Sequence, residues 1–378
     1  MGKKRGSNIF RECVEVIEKR KRAFQEDDVP FSEGDKEHGF KITKDRFFAI
    51  PPPGEGRTVG FVDGGSGTIL KGADFSISLN RVAGALYKAN ESVALNAIPE
   101  VVEFYTTTTL ELLEDNTMGY NIQMFPREPH MKEFLPFDGQ IIIPLQEVRM
   151  VMGFRNLPEI ESSGGVAMRF AEWAYATKMI ETELSESDIL VRDGSLQTGF
   201  SGEILLVREL YSNAKKNNVY ITGLSKTCRL LTKRGEALIS LIDIIGSESY
   251  PETAWYYHPI YQITKADNLA DVYFVKLHKY ARSPFRFDIF LEQSQQLEKQ
   301  ERETIINNIS SNAKDLSFPG YPYGLIKVDQ LSRISNREIE PQKVQLLSEF
   351  DPELYNTYIQ PRIRAVDAHD LLNKIRKN

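Results

Sequence analysis

The 378-residue sequence has few cysteines, no long apolar run and no excess of basic residues. Its two cysteines, Cys13 and Cys228, lie far apart and lack the spacing of a metal-binding motif. This pattern excludes a disulfide-stabilised scaffold and is typical of a reduced, cytoplasmic protein. The stretch around Leu238 to Ile245 is interrupted by polar residues and falls short of the roughly 18 apolar residues that a membrane helix needs. We therefore expect no membrane association, and the basic N-terminus, which lacks an apolar segment, predicts no export signal.

The charge of the chain is slightly acidic, with 47 Lys and Arg against 53 Asp and Glu and a net charge of −6. Proteins that bind nucleic acids usually carry an excess of basic residues. The total charge of this chain therefore does not indicate a nucleic-acid partner. The basic residues occur in short runs, such as 19–22 and 215–216, whereas many acidic residues lie between 91 and 192. An acidic total remains compatible with an enzyme whose centre is a cluster of carboxylates.

Three parts follow one another along the chain. Residues 1–56 contain a predicted amphipathic helix over 8–24 and then a polar lead-in that ends in consecutive prolines. Residues 57–340 form the predicted compact body, within which 90–163 lack a consistent period and predict an irregular insertion with short strands. Residues 341–378 predict a terminal helical segment.

Periodicity within the body predicts an α/β fold with a mixed sheet and flanking helices. Partial alternation from Thr58 onwards indicates a β-meander, and apolar residues at three- and four-residue spacing over 166–184 indicate a helix. Apolar segments at 189–191 and 219–224 flank a helical pattern over 202–217, which predicts a parallel βαβ unit. A polar helix is predicted over 294–314, and further strands are predicted around Leu241, Tyr256, Phe274 and Phe287.

Two aspartates follow apolar strand segments and precede glycines. Asp63 comes after Phe61 and Val62, and Asp193 comes after a buried-type strand and before Gly194. Ligands of open α/β sheets bind beyond the carboxyl ends of the strands, so two such strands side by side would bring both carboxylates to one cation. Asp-Gly is also a common turn signal, and a simple turn is the alternative at each position.

A third carboxylate is expected from the long helix between these strands. Glu172 flanks the apolar stripe of that helix, and Arg169, three residues earlier, is placed to pair with it. Glu181 and Glu183 are the rival ligands, and an ordinary surface ion pair is the alternative for Glu172. Three carboxylates supply the oxygen ligands that Mg²⁺ and Mn²⁺ prefer, and two ions about 4 Å apart can promote hydrolysis of a phosphodiester.

Five motifs together resemble the NurA family of nucleases. They are FVDGGSGT, the helix with Arg169 and Glu172, VRDGSL, GLSKT and GYPYGLIKVDQLSRI, in this order, over about residues 57–340. The resemblance implies a ribonuclease-H-like core, a homodimer, and Mn²⁺- or Mg²⁺-dependent cleavage of DNA, both as a single-strand endonuclease and as a 5′-to-3′ exonuclease. It also implies a partnership with the hexameric HerA ATPase in resecting the duplex ends of DNA double-strand breaks.

Carried over residue by residue, the resemblance places the first family aspartate at Asp63, the helical glutamate at Glu172 and the second aspartate at Asp193. A further metal ligand is expected in the helix after the Tyr-Pro motif, where Asp329 stands. His369 in the terminal helix is the less favoured substitute, and an exposed position without a ligand role is the alternative for Asp329.

Lys226 resembles the lysine that ends a strand in this family, where a cation contacts the scissile phosphate or stabilises developing negative charge. A solvated surface lysine is the alternative. Tyr321 and Tyr323 match a family signature and either stack on an unpaired base or pack in the core.

Two other classes of protein compete with a nuclease. DGGSGT is similar to the first phosphate loop of actin-like ATPases and sugar kinases, although no second glycine-rich loop follows. A noncatalytic DNA-binding subunit of a repair complex is the other alternative, and the retained set of acidic residues disfavours it.

Overall fold

The structure, a computed structural model, describes residues 9–19, 28–31, 37–52, 56–152, 159–315 and 317–366. The strands are β1 (Glu37–Gly39), β2 (Phe47–Ala49), β3 (Thr58–Lys71), β4 (Phe75–Lys88), β5 (Glu91–Val93), β6 (Val101–Leu112), β7 (Met118–Pro126), β8 (Gln140–Pro144), β9 (Ile189–Asp193), β10 (Tyr220–Ser225), β11 (Trp255–Lys265), β12 (Asn268–Lys276) and β13 (Phe285–Phe290). The α-helices are α1 (Ile9–Glu18), α2 (Leu145–Met152), α3 (Ser162–Thr182), α4 (Ser201–Asn217), α5 (Leu238–Ser249), α6 (Leu291–Ser294), α7 (Lys299–Ser311), α8 (Tyr323–Ser332), α9 (Asn336–Ser348) and α10 (Pro352–Leu354). Short 3-10 turns (Lys44–Arg46, Pro129–Phe134, Pro136–Gly139) and a π-helical turn (Tyr355–Ile359) complete the set.

One mixed sheet organises the described residues. Its strand order is β1-β11-β12-β13-β10-β9-β3-β4-β6-β7-β8, with β2 beside β11 and β5 beside β4. The three central strands β3, β9 and β10 run parallel, and β4 and β6 continue the sheet in antiparallel pairs. The predicted meander and the parallel unit β9-α4-β10 are confirmed, and with them the mixed α/β sheet with flanking helices.

Strand β3 continues through its glycines, although the sequence predicted that it ends at Asp63. Asp63, Gly64 and Gly65 pair in register with Ala83, Val82 and Arg81 of β4. A Cβ on Gly64 would lie 2.6 Å from Met168 Sδ of α3. The glycines are therefore part of an extended, paired strand, and their lack of a side chain allows a helix to pack closely against it. The phosphate-loop interpretation does not fit, because these backbone amides belong to a paired strand.

Helix α8 packs against the same strand at Gly65. A Cβ on Gly65 would overlap the carbonyl oxygen of Ser332, the last residue of α8. Helices α3 and α8 therefore approach β3 at neighbouring residues, and each helix carries one of the predicted acidic ligands.

Helix α3 confirms the predicted apolar stripe. Val166, Phe170, Trp173 and Ile180 are all buried in the core between the sheet and α4.

Three segments differ from the sequence prediction. The segment around Leu241 was predicted to be a strand but forms helix α5. Periodicity alone does not distinguish a short apolar strand from a buried helical segment.

The lead-in segment and the insertion are more regular than the sequence predicted. Strands β1 and β2 of the lead-in pair with β11, and Phe47 is buried against Trp255 with their ring centroids 5.1 Å apart. Residues 90–163 contain β6 and β7, which are 12 and 9 residues long and extend the central sheet. Both departures arise from pairing with distant strands, which local periodicity does not report.

Parts of the predicted terminal elements lie outside the described residues. Residues 20–24 at the end of the N-terminal helical prediction are among them, and so is His369. Within the described range of α1, every side chain is exposed. None of the described helices combines the length and apolarity needed to cross a membrane.

Candidate metal centre

Adjacent parallel strands bring Asp63 and Asp193 to the same edge of the sheet. The ladder between β3 and β9 ends with Val62 opposite Arg192, so the two aspartates are the next residues on neighbouring strands. Neighbouring strands are about 4.8 Å apart and facing residues point to the same side of the sheet. The two carboxylates predicted to share a cation therefore lie close together.

Helix α8 adds a third carboxylate. Its last turn packs on Gly65, which brings Asp329 to the two strand aspartates. One carboxylate oxygen from each of Asp63, Asp193 and Asp329 lies within 4.8 Å of the others, and all three side chains are half-buried. These all-oxygen donors suit a hard divalent cation.

The crowding of negative charge perturbs Asp63. Burial, followed by the charges of Asp193 and Glu172, raises the pKa of the Asp63 carboxyl to about 8, against the lowering effect of a hydrogen bond from the Gly64 amide. That bond joins Gly64 N to Asp63 Oδ1 at 2.8 Å. A cation held between the carboxylates would remove this repulsion, so the electrostatics fit a bound metal ion.

Lys226 supplies positive charge to the cluster. Its Nζ lies 2.7 Å from Asp193 Oδ2 and 3.2 Å from Asp329 Oδ1. The residue follows directly after β10, the strand parallel to β9. The predicted strand-end lysine therefore stands beside the acidic cluster, with its side chain partly open to solvent.

Glu172 lies next to the cluster but outside the group of three. Its carboxylate is buried, and Arg192 Nη2 donates to Oε2 at 2.5 Å. The other oxygen, Oε1, faces β3, since a Cβ on Gly64 would lie 2.7 Å from it. Burial raises the pKa of Glu172, and the guanidinium of Arg192 opposes that rise. One oxygen of Glu172 is thus held by an arginine while the other faces the strand that carries Asp63.

The predicted pairing of Arg169 with Glu172 is wrong. Arg169 donates to the buried carboxylate of Glu203 at 3.1 and 3.2 Å, and Arg192 takes its place beside Glu172. Glu203 lies in the first turn of α4 and also accepts from Trp173 Nε1 at 3.0 Å. Arg169 therefore pairs with a carboxylate on α4, and helical spacing alone did not identify its partner.

The rival ligands are engaged elsewhere. Glu183 Oε1 accepts three backbone amides at Asn96, Ala97 and Ile98, and Glu181 pairs with Lys178 at 3.3 Å. Among the described residues, the acidic group of three includes neither of them.

Tyr321 packs in the core, as one of the two sequence interpretations predicted, and its ring also borders the acidic centre. The side chain is 3% exposed, and burial together with the charges of Asp193 and Asp63 raises its pKa. Its ring lies 5.4 Å from Lys226 Nζ. The sequence offered one signal for this place at the centre. Tyr321 stands immediately before Pro322, at the start of the helix that carries Asp329.

Comparisons with known proteins agree with the family suggested by the motifs. A family model described as the NurA domain matches residues 57–334. The fold is similar to the NurA nuclease from Sulfolobus solfataricus, at 12% identity and a TM-score of 0.48, with 83% of this chain and 89% of that chain covered. No curated protein sequence matches the chain.

Two other solved structures align with lower scores. Endonuclease V from Ciona intestinalis, solved in complex with DNA, has 12% identity and a TM-score of 0.32, with 77% of this chain and 87% of that chain covered. An Argonaute from A. aeolicus has 9% identity and a TM-score of 0.29, with 74% of this chain and 28% of that chain covered.

Proposed function

The chain belongs to the NurA family, and from that premise we propose that it is a metal-dependent DNA nuclease. The single observation that supports this proposal most strongly is the convergence of Asp63, Asp193 and Asp329 at one edge of the sheet. The proposed reactions are endonucleolytic cleavage of single strands and 5′-to-3′ exonucleolytic cleavage. The proposed setting is the cytoplasm, where the enzyme resects the ends of DNA double-strand breaks.

The acidic residues would hold Mn²⁺ or Mg²⁺. Asp63, Asp193 and Asp329 offer one oxygen each to a first ion, and Glu172, whose charge helps to raise the pKa of Asp63, is the proposed ligand of a second. When bound, two such ions lower the pKa of water and stabilise the attacking and leaving oxygens of a phosphodiester. Arg192 pairs with one carboxylate oxygen of Glu172 and opposes the rise in its pKa that burial causes.

Lys226 would orient the scissile phosphate. Its ammonium group stands at the edge of the carboxylate cluster and is partly exposed, so it can reach an incoming anion. A cation at this place stabilises negative charge that develops on the phosphoryl oxygens.

The direct test is cleavage of labelled single-stranded DNA by purified protein with Mn²⁺ or with chelator. Loss of a partner that only supports a metal ligand typically costs 10–100-fold, so Asp63→Asn and Asp193→Asn should each reduce cleavage at least about a hundredfold. Asp115→Asn, at an exposed turn, is the matched control and should leave the rate unchanged. Undiminished cleavage in both site variants would falsify the assignment. ATP turnover without cleavage would favour a kinase-like protein, and DNA binding alone would favour a noncatalytic subunit.

The proposed partners are a second copy of the chain and a HerA-type hexameric ATPase. Helix α1 supports a docking role, because its apolar residues Phe10 and Ile17 are 83% and 70% exposed. The terminal helical segment is the other proposed docking element. If deletion of residues 1–24 changes neither ATPase association nor the dimer mass in light scattering, α1 is not the docking element.

A further inference from the structure

Two loops at the catalytic edge of the sheet form one surface. The first, residues 277–284, joins β12 to β13, and the described part of the second, residues 314–315 and 317–320, leads towards α8. Strand β13 runs antiparallel to β10 with Arg286 opposite Ser225, so the first loop lies at the same edge as Lys226. Both loops therefore border the acidic centre.

Close packing holds the two loops together. A Cβ on Gly320 would overlap the side chain of Ala281, and Ser310 Oγ donates to the carbonyl of Leu277 at 2.7 Å. The amide of Gly320 also donates to the carbonyl of Ala313 at 2.9 Å. These contacts hold the backbones of the two loops beside each other at Ala281 and Gly320.

Two exposed aromatic rings stand on this surface. Tyr280 is 62% exposed and Phe318 is 53% exposed. Phe318 lies edge-on to Tyr321 with ring centroids 5.7 Å apart, and Tyr321 lies beside Asp193. Single exposed rings are common on protein surfaces, but a group of them on adjacent loops beside a candidate active site is typical of a binding surface. The rings lead from solvent to the carboxylates.

Cationic side chains accompany the rings. Lys279, Arg282 and Lys314 are exposed. The two loops meet at His278, since a Cβ on Gly320 would lie 3.7 Å from His278 Cβ. Burial, followed by the charges of Lys279 and Lys314, lowers the pKa of His278, in agreement with this placement. The one acid within the two segments, Asp315, accepts from the Ser317 amide at 2.7 Å and is turned into its own loop. On a chain with a net charge of −6, this local excess of positive charge is distinctive.

We propose that this aromatic–basic strip, formed by Lys279, Tyr280, Arg282, Lys314 and Phe318, binds an unpaired DNA strand and guides it to the acidic centre. The proposal rests on the nuclease function proposed above. Unpaired bases stack on exposed rings without regard to sequence, and lysine and arginine contact the phosphates between them. The rings would not bind paired bases, which are already stacked inside a duplex.

Binding without cleavage tests the strip directly. Fluorescence anisotropy in chelator measures the Kd of a labelled oligothymidylate about 20 nucleotides long. Stacking contributes about 1–3 kcal/mol per base, so Tyr280→Ala combined with Phe318→Ala should raise the Kd at least about tenfold. Phe125→Ala is the matched control, because Phe125 is an exposed ring on the distant strand β7. A Kd equal to that of the wild type in the double variant would overturn the proposal.

Salt dependence tests the cations separately. Lys279→Gln combined with Lys314→Gln should reduce the slope of log Kd against log salt by about 1.4, since each phosphate contact on a single strand contributes about 0.7. Lys216→Gln, at the exposed end of α4, should leave the slope unchanged. An unchanged slope in the strip variant, or an equal loss of affinity for blunt duplex in the aromatic variant, would contradict an unpaired strand as the occupant.

A small substrate separates the strip from the chemistry. Thymidine 5′-p-nitrophenyl phosphate is too short to reach the strip, so the aromatic double variant should hydrolyse it with Mn²⁺ at the wild-type rate. For the long strand, the KM should rise while kcat is retained. If the wild type hydrolyses neither substrate yet binds the strand through Tyr280 and Phe318, the nuclease function fails and the strip stands.

Discussion

At Asp63, the folded protein holds a proton that the unfolded chain would release. Its pKa is raised from 3.8 to about 8 by burial and by neighbouring carboxylates. Between these two values the folded state binds more protons than the unfolded state, so the stability of the metal-free protein falls as pH rises. We expect the melting temperature in chelator to decrease from about pH 5 to about pH 8, and to decrease less in Asp63→Asn. Identical pH slopes for the two proteins in calorimetry would contradict this assignment.

Arg192 has the strongest structural role of any single cation near the centre. It pairs with buried Glu172, donates to the Ser195 carbonyl at 3.0 Å and lies 4.3 Å from the Trp173 ring centroid. Because Arg192→Met leaves a buried carboxylate without its partner, it should lower the free energy of unfolding by about 3–5 kcal/mol.

The matched control for Arg192 is Arg169→Met in urea unfolding. Arg169 is 33% exposed, and its partner Glu203 keeps the donors Trp173 and Phe200, so the loss should be clearly smaller. Equal losses in the two variants would show that burial of Glu172 is not the dominant effect.

The sequence predicted the position of a site residue correctly where that residue follows a strand. Asp63 and Asp193 could be placed together because each follows an apolar strand segment and both segments belong to one predicted sheet. The partner of Glu172 could not be predicted, since Arg192 reaches it through space from β9 and helical spacing pointed to Arg169 instead. Core packing of Tyr321 was predicted correctly, but its place beside the carboxylates was not, because a Tyr-Pro sequence does not report which side chains surround the ring.

At the scale of elements, the glycines of β3 determine how close the flanking helices come. Gly65→Ala should push α8, and Asp329 with it, away from the strand, because its methyl group would overlap the backbone of Ser332. We expect a stability loss of about 1–3 kcal/mol together with weaker Mn²⁺ binding in titration calorimetry.

Gly165→Ala is the matched control for this substitution. Gly165 lies in the first turns of α3, and a Cβ built there has no described atom within 4 Å. The variant should gain about 0.5–1 kcal/mol and keep its affinity for Mn²⁺. Weaker Mn²⁺ binding in both variants would show that the effect is not specific to the approach of α8.

Elements with a strong period were predicted well, and elements defined by distant pairing were not. The stripe of α3 and the alternation of the central strands identify them without a structure. In contrast, β1 and β2 are three residues each and exist only because β11 lies beside them. The same reason explains why β6 and β7 were not foreseen within the predicted insertion.

At the scale of the whole molecule, the start of the chain divides into a dispensable and an essential part. Deletion of residues 1–24 should leave the melting temperature unchanged, because no side chain in the described range of α1 is buried. Deletion of residues 1–50 should lower it markedly, because it removes Phe47, which packs against Trp255 and Tyr257. Thermal melts followed by circular dichroism compare the two truncations, and a large loss in the shorter deletion would contradict this division.

The glycine-lined strand also has a consequence for the timing of synthesis. Helix α3 packs on one face of β3, and helix α8, which is about 140 residues later in the chain, packs on the other. The three carboxylates therefore meet only after α8 has been synthesised and has docked. A nascent or half-folded copy has no complete set of ligands. Such a copy would lack the metal-dependent DNA cleavage proposed above.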